Sequence, residues 1–179
     1  MFRFDLFTEH WASIYKPMLH QKGKYARNKR FYLTDTYMGL VDFITNIAPD
    51  HSPCVIMESA QEGTISSRFD YPRYSLYFMV QADDMGDGIS AMDAKLEAKE
   101  HMMKFINYLR EKQRENERKN LRSGIEGIKI DEYLNYDTVG PFYNGWYGVQ
   151  ITLENLLAYN LCVSPDDYIE DTSIENMNI

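Results

Sequence analysis

A chain of 179 residues with net charge −8, 44% hydrophobic and 26% charged residues has globular composition and the length of a single domain. That charge argues against tight sequence-independent binding to duplex DNA, since such affinity comes mainly from phosphate neutralisation by Lys and Arg. No run approaches the ~20 apolar residues that a membrane helix requires.

The first residues mix charges with apolar side chains and lack the continuous apolar core of a signal peptide, so synthesis and use in the cytoplasm are expected. Phe4, Phe7, Trp11, Ile14 and Tyr15 recur at spacings of three and four, which predicts an amphipathic helix over residues 4 to 15 that stops before Pro17. From Lys16 to Arg30 the chain holds Lys16, Lys22, Lys24, Arg27, Lys29 and Arg30 with no acidic residue and no apolar period, the pattern of an exposed basic loop.

Thr34 or Asp35 then offers an N-cap to a second helix, with Tyr37, Met38, Leu40, Val41, Phe43 and Ile44 as its stripe, closing near Pro49. Cys54-Val55-Ile56-Met57 reads as a buried strand and Tyr74 to Val80 as a second. Ser90 is the expected cap of a long helix whose apolar face is Met92, Leu96, Met102 or Met103, Ile106 and Leu109. The segment Arg110 to Lys119 has no apolar residue and reads as a solvated helix end or a partner-facing surface.

Ile128, Ile130, Tyr133, Leu134 and Tyr136 suggest a further strand. It leads into the plainest signal in the chain, a Gly140-Pro141 break, an Asn144-Gly145 turn pair, and then Val149, Ile151 and Leu153 alternating with Gln150, Thr152 and Glu154. Such alternation describes a half-buried antiparallel edge strand or hairpin arm. The terminus is acidic, with Asp166, Asp167, Glu170, Asp171 and Glu175 and no base, which suits an arm that orders on a partner or stays disordered.

These elements give an α+β class: a mixed or antiparallel sheet of about four strands flanked by helices, with one long helix and extended terminal arms. The expected divisions are residues 1–30 (N-terminal helix and basic loop), 31–162 (core) and 163–179 (acidic arm).

Catalytic constellations fail on chemistry. His51 and Cys54 are two potential metal ligands with no second pair, and structural zinc needs four. Cys54 among Val55, Ile56 and Met57 lacks the polar surroundings that stabilise a thiolate, and together with the distant Cys162 it reads as a reduced, buried thiol in a reducing compartment. Asp83, Asp84 and Asp87 depart from the calcium-loop order because Met85 occupies a ligand position. Nothing places Glu58 with Glu62 or Asp70 across a cleft, and Gly86-Asp87-Gly88 lacks the third glycine of a nucleotide loop. No catalytic, cofactor or metal residue is therefore assigned. The basic residues Lys22, Lys24, Arg27, Lys29 and Arg30 and the tail residues Asp166, Asp167, Tyr168, Glu170 and Asp171 are instead the candidate oligomer interface, since opposite charges on one protomer suit a head-to-tail contact that closes into a ring.

Three phrases carry a resemblance: Phe7-Thr8-Glu9-His10-Trp11 with Ile14-Tyr15-Lys16-Pro17, Asn28-Lys29-Arg30-Phe31-Tyr32, and Val139-Gly140-Pro141-Phe142-Tyr143-Asn144-Gly145-Trp146-Tyr147-Gly148. In this order the chain resembles small virion proteins of tailed phages and prophages of gut Bacteroidetes, including the crAss-like group. The resemblance implies a neck or tail subunit, of tail terminator or head-tail connector type, in a six-fold or twelve-fold ring around the DNA channel. Its implied partners are further copies of itself, neighbouring ring or portal proteins, and genomic DNA that slides through without tight binding; no membrane and no cofactor is implied. Two other classes stand beside it: a cytoplasmic adaptor docking through the aromatic N-terminal helix, and a hydrolase or transferase with dispersed catalytic residues.

Overall fold

The computed structural model describes residues 3–23, 26–35, 37–58, 63–65, 69–84, 86–121, 124–130, 134–155 and 157–158. Its elements run α1 (Phe4–Ile14), β1 (Phe31–Thr34), α2 (Tyr37–Asn46), β2 (Cys54–Glu58), β3 (Gly63–Ile65), β4 (Phe69–Gln81), α3 (Gly88–Lys119), β5 (Ile128–Lys129), β6 (Tyr136–Phe142), β7 (Trp146–Asn155) and β8 (Leu157–Ala158).

The period-two pattern of Val149, Ile151 and Leu153 becomes β7, an inner strand with β4 on one side and β5 and β6 on the other. It is thus a hairpin arm, with β6 as its partner, and not an edge. The sheet runs β1-β2-β4-β7, with β6 and β5 sharing the far side of β7. Only the β1–β2 pairing is parallel (Phe31↔Val55) among the described strands; the others are antiparallel, so the sheet is mixed. β3 and β8 lie on either side of the start of β4, where Asp70 stands opposite both Ile65 and Leu157. The α+β class with one long helix on a mixed sheet is what the sequence predicts, but the described sheet has eight strands where the sequence predicts about four. β3, β5 and β8 are only two or three residues long and leave no alternation to read.

Strand periodicity sorts side chains into two cores. Leu76, Phe78 and Val80 of β4 and Val149, Ile151 and Leu153 of β7 face α1 and α3, while Tyr77, Met79 and Trp146 face α2 with Leu40, Ile44 and Ile47. Phe105 of α3 is the hub of the larger core, with Trp11, Phe78 and Phe4 rings 5.1, 5.6 and 6.2 Å away. Each such ring contributes roughly 1.5–3 kcal/mol by burial, with edge-on pairing adding to that.

Two local expectations are corrected and one is refined. Ser90 does not cap α3: Asp87 does, accepting from the backbone N–H groups of Ile89 and Ser90, and the Ser90 hydroxyl accepts instead from the N–H of Asp84. The polar end of α3 is solvated as expected at Glu111, Arg114 and Glu117 to Lys119, but it is tied to the body where Gln113 Nε2 donates to the carbonyls of Ile125 and Ile128 at 2.9 and 2.8 Å. Finally, the inward face of α3 is Ala94, Ala98, His101, Met102, Phe105, Ile106 and Leu109, whereas Met92, Leu96 and Met103 point to solvent.

α1 turns Phe4, Thr8, Trp11 and Ala12 into the same core, leaving Leu6, His10 and Ile14 outward. No helix among the described residues is long and apolar enough to cross a membrane.

Candidate functional site

The basic loop is built onto the edge of the sheet at β1. Asn28 Nδ2 donates to the carbonyls of Met18 and Leu19, both at 2.8 Å, closing the loop on itself. His20 is buried, and its Nδ1 accepts from the backbone N–H groups of Arg30 and Phe31 at 3.0 and 3.3 Å. Nδ1 is therefore bare, the proton sits on Nε2, and Nε2 lies 3.5 Å from the Glu9 carboxylate. Burial holds this imidazole below its ordinary pKa, against the opposing pull of Glu9.

This geometry sorts the sequence-predicted cations. Arg30 turns inward, with Nε donating to Asn28 Oδ1 at 2.6 Å and the guanidinium donating to the Ser52 carbonyl, so it ties the loop to the start of β2. Lys22 meets Glu9 at 2.9 Å, a counter-charge from α1 that the loop itself lacks. Lys29 lies over the Tyr32 ring at 4.9 Å. Arg27 and Lys16 are exposed. Lys24 and the tail residues Asp166, Asp167, Tyr168, Glu170 and Asp171 fall outside the described residues, as does Cys162. Beside the loop, β1, Leu6 and Leu33 border an open groove of about 490 Å³.

A second concavity, about 370 Å³, lies on the half of the sheet that α2 leaves open. Glu154 sits there between two register partners, its Oε1 2.8 Å from Arg73 Nε and its Oε2 3.8 Å from Lys129 Nζ, with Asp137, Gln150 and Thr152 nearby. The carboxylate is held by cross-strand cations, an arrangement that stabilises a sheet face.

The titratable groups are spread through the fold. Burial pushes the Cys54 thiol up to about 12, so it stays protonated and is a poor nucleophile at neutral pH. Burial also holds His101 below its ordinary pKa; its Nδ1 meets the Tyr15 hydroxyl at 2.9 Å and its Nε2 lies 3.3 Å from Glu97. His51 Nδ1 meets the Tyr32 hydroxyl at 2.6 Å. Among the described residues no group of three His, Cys, Asp or Glu side chains converges as a metal site.

A second apolar stripe on α3 is not legible as such in the sequence. Ile89, Leu96 and Met103 repeat every seven residues with Met92 between, and they are 43–72% exposed. The seven-residue spacing is visible in the sequence, but it interleaves with the buried stripe, and Met, Ile and Leu look alike in both. No protein-family model matches the chain, and no curated protein matches it.

Proposed function

We propose that the chain is a structural virion protein, assembling as a homo-oligomeric ring in the neck or tail of a tailed phage in the role of a tail terminator or head-tail connector. It is made in the host cytoplasm and works in the virion, where genomic DNA passes through the ring. The observation that carries this reading is the construction of the basic loop. Asn28, His20 and Arg30 hydrogen-bond the described residues of the loop to one another and to the start of β2 at an edge of the sheet, with Arg27 and Lys16 exposed.

Such tethering at both ends of the loop lowers the conformational entropy lost on binding, which suits a fitted protein contact. Strong attraction to nucleic acid is disfavoured by the net charge of −8, and such a charge suits a lumen through which DNA slides. The acidic terminus supplies the opposite charge for a head-to-tail arrangement.

Negative-stain microscopy of the full-length protein tests the reading, with rings or ring fragments as the expected result. Wild-type association should weaken as salt rises, and the triple reversal Lys22→Glu, Lys24→Glu and Arg27→Glu should weaken it in a salt-sensitive manner, most at low salt where the new like-charge repulsion is least screened. Association unchanged by the triple variant removes the loop from the interface; wild-type particles that are single globules under all conditions remove the ring.

A further inference from the structure

We infer that the exposed stripe of α3 is one half of a subunit contact, and that its occupant is the β1 groove of a second copy of this chain. The inference rests on the ring reading above and names the surfaces that would close it. The stripe of Ile89, Met92, Leu96 and Met103 lies on the side of α3 away from its buried residues, toward β6: Lys99, on the next turn from Leu96, donates to the Tyr136 hydroxyl at 2.8 Å and covers that ring at 4.7 Å. The groove lies at the opposite end of the sheet, where Leu6 and Leu33, each about half exposed, flank β1. One protomer thus presents exposed apolar side chains on both lateral flanks. Solvent-exposed apolar stripes at helical spacing are costly to leave bare and mark contact surfaces.

Charge decides between a second copy's stripe and its groove as the occupant. Beside the stripe, Asp93, Glu97 and Glu100 are exposed against one exposed cation, Lys104, which lies 4.0 Å from Glu100, while Lys95 and Lys99 lie over the rings of Tyr147 and Tyr136 and turn toward the sheet. The flank is acidic on its outer side. Stripe against stripe would set these carboxylates against their own copies. At the groove, Asp5 and Glu9 are already matched by Arg3 and Lys22, which leaves the exposed Arg27 and the half-buried Lys29 over the Tyr32 ring against the exposed Asp35 that follows β1. The stripe of one copy and the groove of the next are complementary in both polarity and charge. Because the two surfaces lie on opposite flanks, the contact is heterologous, the kind that generates rings or open filaments.

Two full-length variants test this by light scattering: Leu96→Arg, which spoils the stripe, and Leu33→Arg, which spoils the groove. Both side chains are exposed, so circular dichroism and melting temperature are expected to match wild type, and the milder Leu96→Ser and Leu33→Ser serve as a second pair. Each arginine variant alone is expected to associate about tenfold more weakly or worse. Mixed together they form a one-to-one dimer that grows no further, since each partner keeps one intact surface. If Leu33→Arg assembles as wild type does while Leu96→Arg does not, the stripe meets something other than the groove and this inference fails, with the ring reading intact. If both assemble as wild type, neither surface is used. If removal of residues 159–179 restores assembly to Leu96→Arg, the chain's own terminus and not a neighbour covers the stripe. A wild-type protein that is monomeric throughout defeats the ring reading itself.

Discussion

The two stripes of α3 are made of the same kinds of residue and have opposite fates. Met102, Phe105, Ile106 and Leu109 are sealed against the sheet, while Ile89, Met92, Leu96 and Met103, on the same helix, face water. Composition does not distinguish them; the neighbours do. The inner stripe meets an aromatic cluster contributed by α1 and β4, whereas the outer one runs past the edge of β6, which α3 reaches through Lys99. One stripe accounts for why the chain folds, and the other is the stronger candidate for what the folded chain does.

That contrast is broken most forcefully at Phe105. Phe105→Ala should cost about 3–5 kcal/mol in urea unfolding, because its cavity opens where the rings of Phe4, Phe7, Trp11 and Phe78 meet it. Leu96→Ser should stay within about 0.5 kcal/mol of wild type, as surface substitutions do. Equal losses at both positions would mean that the outer stripe is packed within the protomer.

Next in size is Gly148 of β7, which pairs with Met79 of β4 on the side of the sheet turned to α2, opposite the inner stripe. A Cβ there would collide with the Phe78 carbonyl oxygen and stand 2.6 Å from the sulfur of Met79. Gly148→Ala should destabilise by about 1–3 kcal/mol through overpacking, read as a lower denaturant midpoint. An unchanged midpoint would show that β4 and β7 separate easily, and that the core beneath α2 is looser than its burial implies.

The smallest effect sharpens the comparison through pH. His20 and His101 are held below their ordinary pKa of 6.5 by burial, so the folded chain binds fewer protons than the unfolded one near that value. Their contribution is fully present above pH 6.5 and is lost as pH falls toward the folded-state values. The melting temperature should therefore decline on acidification below about 6.5, and His20→Asn should flatten part of that decline. Since His20 anchors the loop while His101 lies under α3, a slope insensitive to His20 would show that the loop is not fastened through it.

Legibility in the sequence follows locality. The β7 alternation and the α1 stripe can be read because each is a local period that a single burial direction imposes. β1 cannot, since Phe31-Tyr32-Leu33-Thr34 carries no polar alternation and is a strand only because β2 pairs with it. The basic loop is legible as a composition. The anchoring of Lys22 and Arg30 is not, because their partners Glu9 and Ser52 come from outside the segment. The outer stripe of α3 is hidden in plain spacing: its residues stand out, but the period alone assigns Met92, Leu96 and Met103 to the buried side of the helix.

The central claim is that this folded chain works by fitting against copies of itself. Its most direct test is the solution mass of the full-length wild-type protein over a range of concentrations. Masses at several multiples of 21.1 kDa, rising with concentration, are the expected result. A mass of 21.1 kDa at every concentration and salt condition would contradict it.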